Sequence, residues 1–361
     1  MESKQRCEMA KTTYIVNPGY SLEDSLKQYR EGNYPGAVLY GIHHFEENGY
    51  QLIFPQSSST VLEVSKGASK WQVLKSQIKS EWKAAMDCRR AVKHGNVSLV
   101  YMPLMNFGSL LLIFRKLKLI NRPVVACVHS QNSNKGLHHL YNRLRYKAAD
   151  RLVFIAESTY QIFQNDYAEF TDKSSVIPLM PEKSFEGKIL KLPEKYGYCM
   201  VGKTNRDFQT VVSASDILAG RDIKGCLVGM IGRRSSDYLR IDASRNYAYA
   251  ASVYKNSRVN LVITNSSQGI YGLTSIMDSF TFEIPLIVTA TEGLAVDPEK
   301  LRIGLTVPPM NPKALAAAIE RLNADDSYYG ECKRNLHTLK ESYNTEIFGK
   351  KLTEVFDEVM K

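Results

Sequence analysis

The sequence lacks the features of a membrane-spanning or disulfide-rich protein. No apolar run approaches the ~20 residues that span a bilayer, and the polar stretch from Met1 to Lys11 has no apolar core of a secretory signal. The six cysteines include no C-x-x-C pair and are expected to be reduced thiols. We therefore expect a cytoplasmic protein, either free or peripheral on the inner face of the cell membrane.

Other absences narrow the function. No D-x-D triplet occurs, so a metal-bridged diphosphate is not expected. The adjacent pairs His43–His44 and His138–His139 lack the i, i+4 spacing of metal ligands. Without an aromatic-basic RNA motif or a DNA-reading module, nucleic acid is not an expected partner. We predict neither a cofactor nor a metal.

The length of the chain indicates the number of domains, and its uneven charge indicates the kind of partner. With 361 residues the chain suits two domains. Residues 1–190 carry 25 Lys and Arg against 17 Asp and Glu, whereas residues 191–361 carry 22 against 20. The front half is therefore expected to meet an anionic partner, such as a membrane surface, a lipid phosphate or an acidic glycan, unless it is a solvated basic surface.

Apolar strands alternate with helices in both halves, which predicts parallel sheets covered on both faces. Strands are predicted at Thr13–Val16, Tyr50–Phe54, Leu99–Met102, Pro123–Val128, Arg151–Ile155, Tyr198–Val201, Gly225–Val228, Val259–Ile263 and Pro285–Thr289. Helices are predicted at Trp71–Lys93, Lys135–Ala149, Phe208–Ala219, Thr274–Phe282, Pro312–Leu322 and, as a tail, Tyr328–Lys361. The predicted fold class is α/β, with two Rossmann-like domains (1–190 and 191–335) joined near 178–195 and a C-terminal helix (336–361).

The segment from Ser109 to Ile120 mixes apolar residues with Arg115, Lys116 and Lys118. A basic amphipathic helix of this kind can lie on an anionic membrane. It can equally pack on the sheet just before the next strand. Both interpretations stay open.

Residues 197–204 fit the phosphate-loop pattern G-x-x-x-x-G-K-T. A P-loop needs a buried strand before its first glycine, whereas charged residues and Pro193 precede Gly197. The supposed loop, Tyr198–Val201, is an apolar run typical of a strand. We therefore predict a strand that ends at Gly202, above whose carboxyl edge ligands of open α/β sheets bind.

The loop after this strand carries two cations, Lys203 and Arg206. Cations in that position suit a diphosphate, which needs charge and several donors. The alternative is solvated loop charge.

A second segment opens a helix with Gly272, Thr274 and Ser275, whose unpaired amides form an anion site. Asp278, one turn further on, is placed to take the two hydroxyls of a ribose. The alternative is ordinary N-capping by Thr274 or Ser275, with Asp278 solvated.

In this order the segments resemble the donor-binding domain of GT-B glycosyltransferases, especially family 4 and its relatives. The likeness covers most of the chain and is strongest from Tyr198 to Leu322. In the front half, the strand ending at His129 and the segment Ala149–Ser158 are similar to the family's cleft strand and its next strand and loop. The matching end of the donor domain comprises Gly304, Val307, Pro308, Leu315, Ala316, Ala318, Ile319 and Leu322.

The resemblance implies a GT-B architecture, in which two Rossmann-like domains face a central cleft and the C-terminal helix crosses back to the first domain. It implies a glycosyltransferase that moves a sugar from a nucleotide-sugar donor to a glycan or lipid-linked acceptor, with retention, in surface polysaccharide biosynthesis. A GT-B-like nucleotide-sugar epimerase and an inactive carbohydrate or membrane-binding adaptor are the alternatives.

The resemblance also implies a site. The donor is assigned to Gly202, Lys203, Thr204, Arg206, Gln268, Gly272, Leu273, Thr274, Ser275 and Asp278. The acceptor is assigned to Tyr34, Pro35, Gly36, His129, Gln131 and Asn132. The residues expected to serve catalysis are His129, which would line the sugar site, and Lys203, Arg206 and Asp278. Replacing Lys203 or Arg206 by Ala is expected to cut turnover and leave the fold intact.

The sequence departs from the family's usual pair of glutamates eight positions apart. Asp278 matches the second, but Ile270 occupies the first position. Gln268 and Asn265 are the candidates to replace that acidic group, which usually contacts the transferred sugar.

Overall fold

A computed structural model describes residues 11–56, 69–129, 136–230, 235–244, 246–265, 272–291 and 294–361. Twelve strands in these ranges form two sheets. The first sheet comprises β1 (Lys11–Ile15), β2 (Tyr50–Ile53), β3 (Leu99–Met102), β4 (Val124–Val128), β5 (Arg151–Phe154) and β6 (Ser174–Val176). The second comprises β7 (Tyr198–Val201), β8 (Gly225–Val228), β9 (Leu239–Asp242), β10 (Asn260–Val262), β11 (Leu286–Thr289) and β12 (Gly304–Val307).

Every pairing between these strands is parallel. The strand orders are β2-β1-β3-β4-β5-β6 and β12-β11-β10-β7-β8-β9. Helices follow most strands, as parallel crossovers require. Those of the first half are α1 (Leu22–Arg30), α2 (Lys70–His94), α3 (Ser109–Lys116), α4 (Gly136–Ala148) and α5 (Glu157–Asp166). Those of the second half are α6 (Phe208–Leu218), α7 (Tyr247–Lys255), α8 (Leu273–Phe282), α9 (Pro312–Ala324), α10 (Asp326–Ser342) and α11 (Thr345–Val359).

Local sequence accounts for several of these elements. Strands β3, β4, β8 and β11 are buried along their whole length, as expected of strands covered on both faces. Helix α2 starts with a capping box, in which Ser69 and Gln72 bond reciprocally. Helix α9 starts with Asn311 as N-cap and Pro312 in the first turn, both favoured at that end.

The structure confirms the predicted α/β class with two parallel sheets, and each of the nine predicted strands is present. It adds β6, β9 and β12, which are edge strands, and helices α1, α5 and α7. The segment 109–120 forms a helix only as far as Lys116, and the predicted tail is divided into α10 and α11. The predicted boundary at residue 335 falls inside α10.

The two halves share one buried apolar cluster. It includes Leu39 and Tyr50 from the first half, Ile276 and Phe280 from α8, and Phe356 from α11. The ring of Phe356 meets the rings of three buried aromatic residues at centroid distances of 5.1 to 5.5 Å: Phe45, Tyr50 and Tyr101. The C-terminal helix therefore returns to the first sheet, as the sequence comparison implied. Across the described ranges, no helix has both the length and the apolar character needed to cross a bilayer.

Phe356→Ala should lower the free energy of unfolding by about 3 to 5 kcal/mol, because it leaves a cavity in the cluster that joins the two halves. Glu354→Ala, an exposed position on the same helix, is the matched control and should change it by less than about 0.5 kcal/mol. Urea denaturation followed by circular dichroism measures both. Equal stabilities for the two variants would contradict this packing role.

Candidate functional site

A cleft of about 670 Å³ opens between the two halves of the chain. The wall from the second half is formed by Val201, Gly202, Asn246, Tyr247, Thr274, Ser275 and Asp278. The opposite wall is formed by Gln28, Asn33, Tyr34, Pro35 and Val38. The cleft thus lies over the end of β7 and the starts of α7 and α8, where helices present their N-termini.

Two glycines let this wall close around one guanidinium group. Gly202 has φ of +108° and Gly272 has φ of +80°, conformations that other residues rarely adopt. A Cβ at Gly202 would lie 3.2 Å from Arg206 Nη2. A Cβ at Gly272 would lie 3.0 Å from Arg206 Nη1 and only 2.3 Å from Val262 Cγ1. Both positions therefore need glycine for space as well as for conformation.

The Arg206 side chain lies behind the cleft surface and is 7% exposed. Its Nη2 donates to Ser275 Oγ at 2.8 Å and to the Val201 carbonyl at 3.4 Å, and Nη1 donates to the Thr204 carbonyl at 3.3 Å. Burial lowers the pKa of Arg206, while the nearby charge of Asp278 acts in the opposite direction. Arginine nevertheless stays charged in proteins, so a fixed positive charge lies just beneath this wall.

This placement corrects one expectation from the sequence. Arg206→Ala would remove a buried side chain and its three hydrogen bonds, so it should destabilise the fold rather than leave it intact. Lys203 and Thr204, by contrast, are exposed and follow the cleft-lining Gly202 directly in the chain. Lys203 is therefore the cation of this loop that can be removed without disturbing the core.

Helix α8 begins with Gly272 as its N-cap and no side-chain cap. The Ser275 hydroxyl donates to the Val201 carbonyl at 3.1 Å instead, so the alternative of N-capping by Thr274 or Ser275 is wrong. The first amides of a helix have no carbonyl partner within it. Since Thr274 and Ser275 line the cleft, the positive end of the α8 dipole faces it. Leu273 is partly buried against the shared cluster.

Asp278 is a buried carboxyl group rather than a solvated one. It is 8% exposed, lines the cleft, and accepts a hydrogen bond from Tyr247 Oη at 2.6 Å. Burial raises the pKa of Asp278 to about 6, although the Tyr247 hydrogen bond and the charge of Arg206 oppose the rise. Burial also raises the pKa of Tyr247, so its hydroxyl keeps the proton that it donates.

The sequence patterns missed the wall formed by α7. Asn246 is the N-cap of this helix, and its Oδ1 accepts from the Ala248 amide at 2.8 Å. An asparagine directly before an alanine-rich stretch is the signal that could have found it. The cap places Tyr247 against Asp278.

The segment joining the two sheets packs behind the Tyr34–Pro35 side of the cleft. Glu182 is buried, and its Oε1 lies 3.4 Å from Nε2 of the buried His43. A Cβ at Gly36 would overlap Glu182 Oε1, so this glycine makes room for the carboxylate beside the Tyr34–Pro35 wall. Burial lowers the pKa of His43 in spite of this partner. The joining segment therefore packs tightly against the first half.

His129 follows β4, as predicted, but is not among the described residues that line the cleft. Its Nε2 lies 3.0 Å from the Pro103 carbonyl, which can only accept, so Nε2 carries the proton. The ring meets Tyr40 edge-on at 4.8 Å. Burial lowers the pKa of His129 to about 4, so the ring is neutral at pH 7 and its Nδ1 is an acceptor.

Three of the residues that the sequence assigned to the donor and acceptor sites lie outside the described residues: Gln131, Asn132 and Gln268. Asn265, the other candidate for the missing acidic group, is already engaged: its Nδ2 donates to the Arg206 carbonyl at 3.0 Å and its backbone amide donates to the Asn205 carbonyl at 3.1 Å. These two hydrogen bonds tie Asn265 to the loop after β7.

No family model and no curated protein matches the chain. Solved structures do match over nearly its whole length. Sucrose-phosphate synthase from Thermosynechococcus elongatus is 14% identical, with a TM-score of 0.69 over 97% of this chain and 99% of that chain. A glycosyltransferase from Rickettsia africae is 16% identical, with a TM-score of 0.65 over 97% and 99%. Anabaena Alr3699/HepE, solved with UDP and glucose, is 10% identical, with a TM-score of 0.62 over 97% and 100%.

The chain has the GT-B fold. At these identities the likeness establishes the fold alone. A putative UDP-N-acetylglucosamine 2-epimerase from Listeria monocytogenes also matches, at 11% identity and a TM-score of 0.61 over 95% of each chain. The GT-B fold by itself therefore does not separate sugar transfer from epimerisation.

Asp278→Asn should change how stability depends on pH. The raised pKa means that the folded protein binds this proton more tightly, so the carboxyl group's stabilisation is complete below about pH 4 and is lost as the pH rises through 6. The unfolding free energy of the variant relative to the wild type should therefore rise by about 3 kcal/mol between pH 4 and pH 8. Asp216→Asn, at an exposed position of α6, is the matched control. A pH-independent difference for Asp278→Asn in urea denaturation would contradict the buried carboxyl group.

Proposed function

We propose that the chain is a glycosyltransferase that moves a sugar from a nucleoside-diphosphate sugar to a glycan or lipid-linked saccharide. One observation carries the proposal. The start of α8, the buried charge of Arg206 and the Asp278 carboxyl group meet on one wall of a cleft between two Rossmann-like halves. A positive wall that also carries a carboxyl group suits a diphosphate joined to a ribose.

The diphosphate would lie against the amides of Thr274 and Ser275. Gly202, without a side chain, would let it approach the wall, and the exposed Lys203, the next residue in the chain, would supply a positive charge. Departure of the nucleoside diphosphate builds negative charge on the β-phosphate while the sugar becomes oxocarbenium-like. Fixed donors and cations stabilise that charge without reorganising during the reaction. These groups would act without a metal ion.

The ribose would bind at Asp278. Two hydroxyls that donate to a carboxylate favour its ionised form, so they offset the cost of its burial. Tyr247 already occupies one carboxylate oxygen at 2.6 Å and fixes the side chain. Asp278 therefore acts as a positioned acceptor for the donor.

The acceptor would enter along Tyr34 and Pro35, on the opposite wall. His129 has a pKa of about 4, which makes it a weak base at neutral pH. Because His129 does not line the described cleft and contacts the Pro103 carbonyl and Tyr40, it would act on the acceptor side through its neighbours. The reaction that we propose is a retaining one. The setting that we favour is surface polysaccharide biosynthesis at the cytoplasmic face of a cell.

Epimerisation of a nucleotide sugar is the second candidate, since a putative epimerase shares the fold. It would use the same donor wall but would need no acceptor. An adaptor without activity is the third alternative, because Ile270 replaces an acidic residue. Product analysis separates all three.

The test is incubation of the purified chain with nucleoside-diphosphate sugars, with and without oligosaccharide acceptors, in EDTA. We expect release of nucleoside diphosphate that depends on an acceptor, because closure of the two halves excludes water. Sugar inversion at a ring carbon without an acceptor would identify an epimerase instead. Absence of any donor turnover, with or without added Mg²⁺ or Mn²⁺, would contradict the proposal.

Lys203→Ala should lower kcat about 10²-fold or more, because it removes a charge that stabilises the leaving diphosphate. Its thermal midpoint should match that of the wild type, since the side chain is exposed. Lys313→Ala, an exposed lysine of α9 away from the cleft, is the matched control and should keep full activity. Unchanged kcat in Lys203→Ala would remove this residue from the site.

A further inference from the structure

Helix α4 exposes a row of leucines to solvent. Leu137, Leu140 and Leu144 lie on one face, at spacings of three and four residues, and are exposed, with Leu137 85% exposed. On the buried face, Tyr146 packs in the apolar core, and the Arg145 guanidinium donates to the Met105 carbonyl. A surface helix of a water-soluble protein normally carries polar residues on its outer face. The outer face of α4 is therefore suited to an apolar neighbour.

Helix α2 continues this surface. Trp71, Leu74, Ile78 and Trp82 recur at spacings of three and four residues and form one exposed stripe, with Trp71 73% exposed. A lysine directly follows each of the last three. The stripe thus combines apolar anchors with flanking positive charge.

Helix α3 lies between the other two. The ring of Trp82 meets Phe114 of α3 edge-on at 5.4 Å, and Tyr141 of α4 donates a hydrogen bond to Ser109 of α3. Ile113 and Leu117 add exposed apolar side chains. We call the combined outer surface of these three helices the α2–α4 face. Exposed apolar side chains gathered on three neighbouring helices are typical of an interaction site.

The charge of the chain is concentrated in the same segment. Residues 69–149 carry 15 Lys and Arg against 2 Asp and Glu, a net charge of +13. The rest of the chain carries 32 against 35 and is slightly negative. No acidic residue occurs between Asp87 and Asp150. The positive excess of the whole protein therefore belongs to the three helices and the strands between them.

Not all of this charge is free. Arg115 of α3 pairs with Asp150 at 2.8 Å, and Arg143 of α4 pairs with Glu169 at 2.8 Å. Lys116 and Lys118, beside Leu117, are exposed. Free cations thus border the apolar stripes, as they do on helices that lie in a membrane interface.

We propose that the α2–α4 face docks on a bilayer that contains anionic lipids. The leucine and tryptophan side chains enter the boundary between headgroups and acyl chains, and the lysines meet the lipid phosphates. Charge favours this occupant over a second copy of the chain, because a dimer through this face would bring together two segments of +13 each. Two tryptophans on the stripe also fit the interface, where this side chain is enriched.

The experiment uses the protein's own tryptophans. The chain contains only Trp71 and Trp82, and both lie on the α2–α4 face. Their emission is recorded as vesicles are added, either of pure phosphatidylcholine or with a third of the lipid replaced by phosphatidylglycerol. We expect a shift to shorter wavelength and co-sedimentation with the anionic vesicles only, both weakened by high salt.

The variant Leu140→Glu/Leu144→Glu should weaken partitioning into anionic vesicles by about tenfold or more, since it places charge on the apolar stripe. Ile217→Glu, on α6, is the matched control, because Ile217 and Leu144 are equally exposed at 44% and 43%. It should bind vesicles as the wild type does. Binding of UDP in lipid-free solution should be the same in all three proteins, so loss of docking and failure of the proposed function remain distinguishable.

Three results would overturn the proposal. They are absence of binding to anionic vesicles, equal binding to both vesicle types, and unaltered binding by a folded Leu140→Glu/Leu144→Glu variant. A lipid-free dimer that this variant dissociates, with no vesicle binding by the wild type, would assign the face to a second copy instead. Circular dichroism verifies that each variant is folded.

Discussion

The site depends on one buried contact, the hydrogen bond from Arg206 to Ser275. It joins the loop after β7 to the first turn of α8, because the Ser275 hydroxyl accepts from Arg206 and donates to the Val201 carbonyl. Gly202 and Gly272 are the two positions where the chain must leave space for the guanidinium. A buried charge is costly unless it is well paired. The hydrogen bonds of Arg206 hold its positive charge directly behind the cleft wall.

The rest of the cleft follows from that constraint. Fixing the start of α8 fixes Asp278 one turn later, and α7 supplies Tyr247 to hold its carboxyl group. The shared apolar cluster and the return of α11 hold the opposite wall at a defined distance. The proposed diphosphate site on one half and the proposed acceptor site on the other are thus parts of one geometric unit.

Much of the fold was predictable from sequence because its central strands are buried on both faces. Such strands are continuous apolar runs, as in Leu99–Met102 and Tyr198–Val201. The strands that prediction missed lie at sheet edges. β6 contains two serines and is only partly buried, and β9 alternates Leu, Arg, Ile and Asp, so neither has that signal.

The sequence predicted which segments meet at the cleft, but not the direction in which their side chains point. The order of strand, glycine, cation and helix start pointed to Gly202, Ser275 and Asp278, which line the cleft in the structure. Whether Arg206 reaches outward or folds back depends on contacts with residues about 70 positions away, which local sequence does not specify. The exposed apolar stripe of α4 was hidden for a similar reason. A helical period gives the faces of a helix but not which face the protein buries.

The most direct measurement of the central claim is a crystal structure of the chain with bound UDP. The account predicts that the diphosphate oxygens lie within hydrogen-bond distance of the Thr274 and Ser275 amides, with the ribose hydroxyls at Asp278. A diphosphate bound elsewhere, or a cleft that UDP leaves empty at saturating concentration, would contradict it.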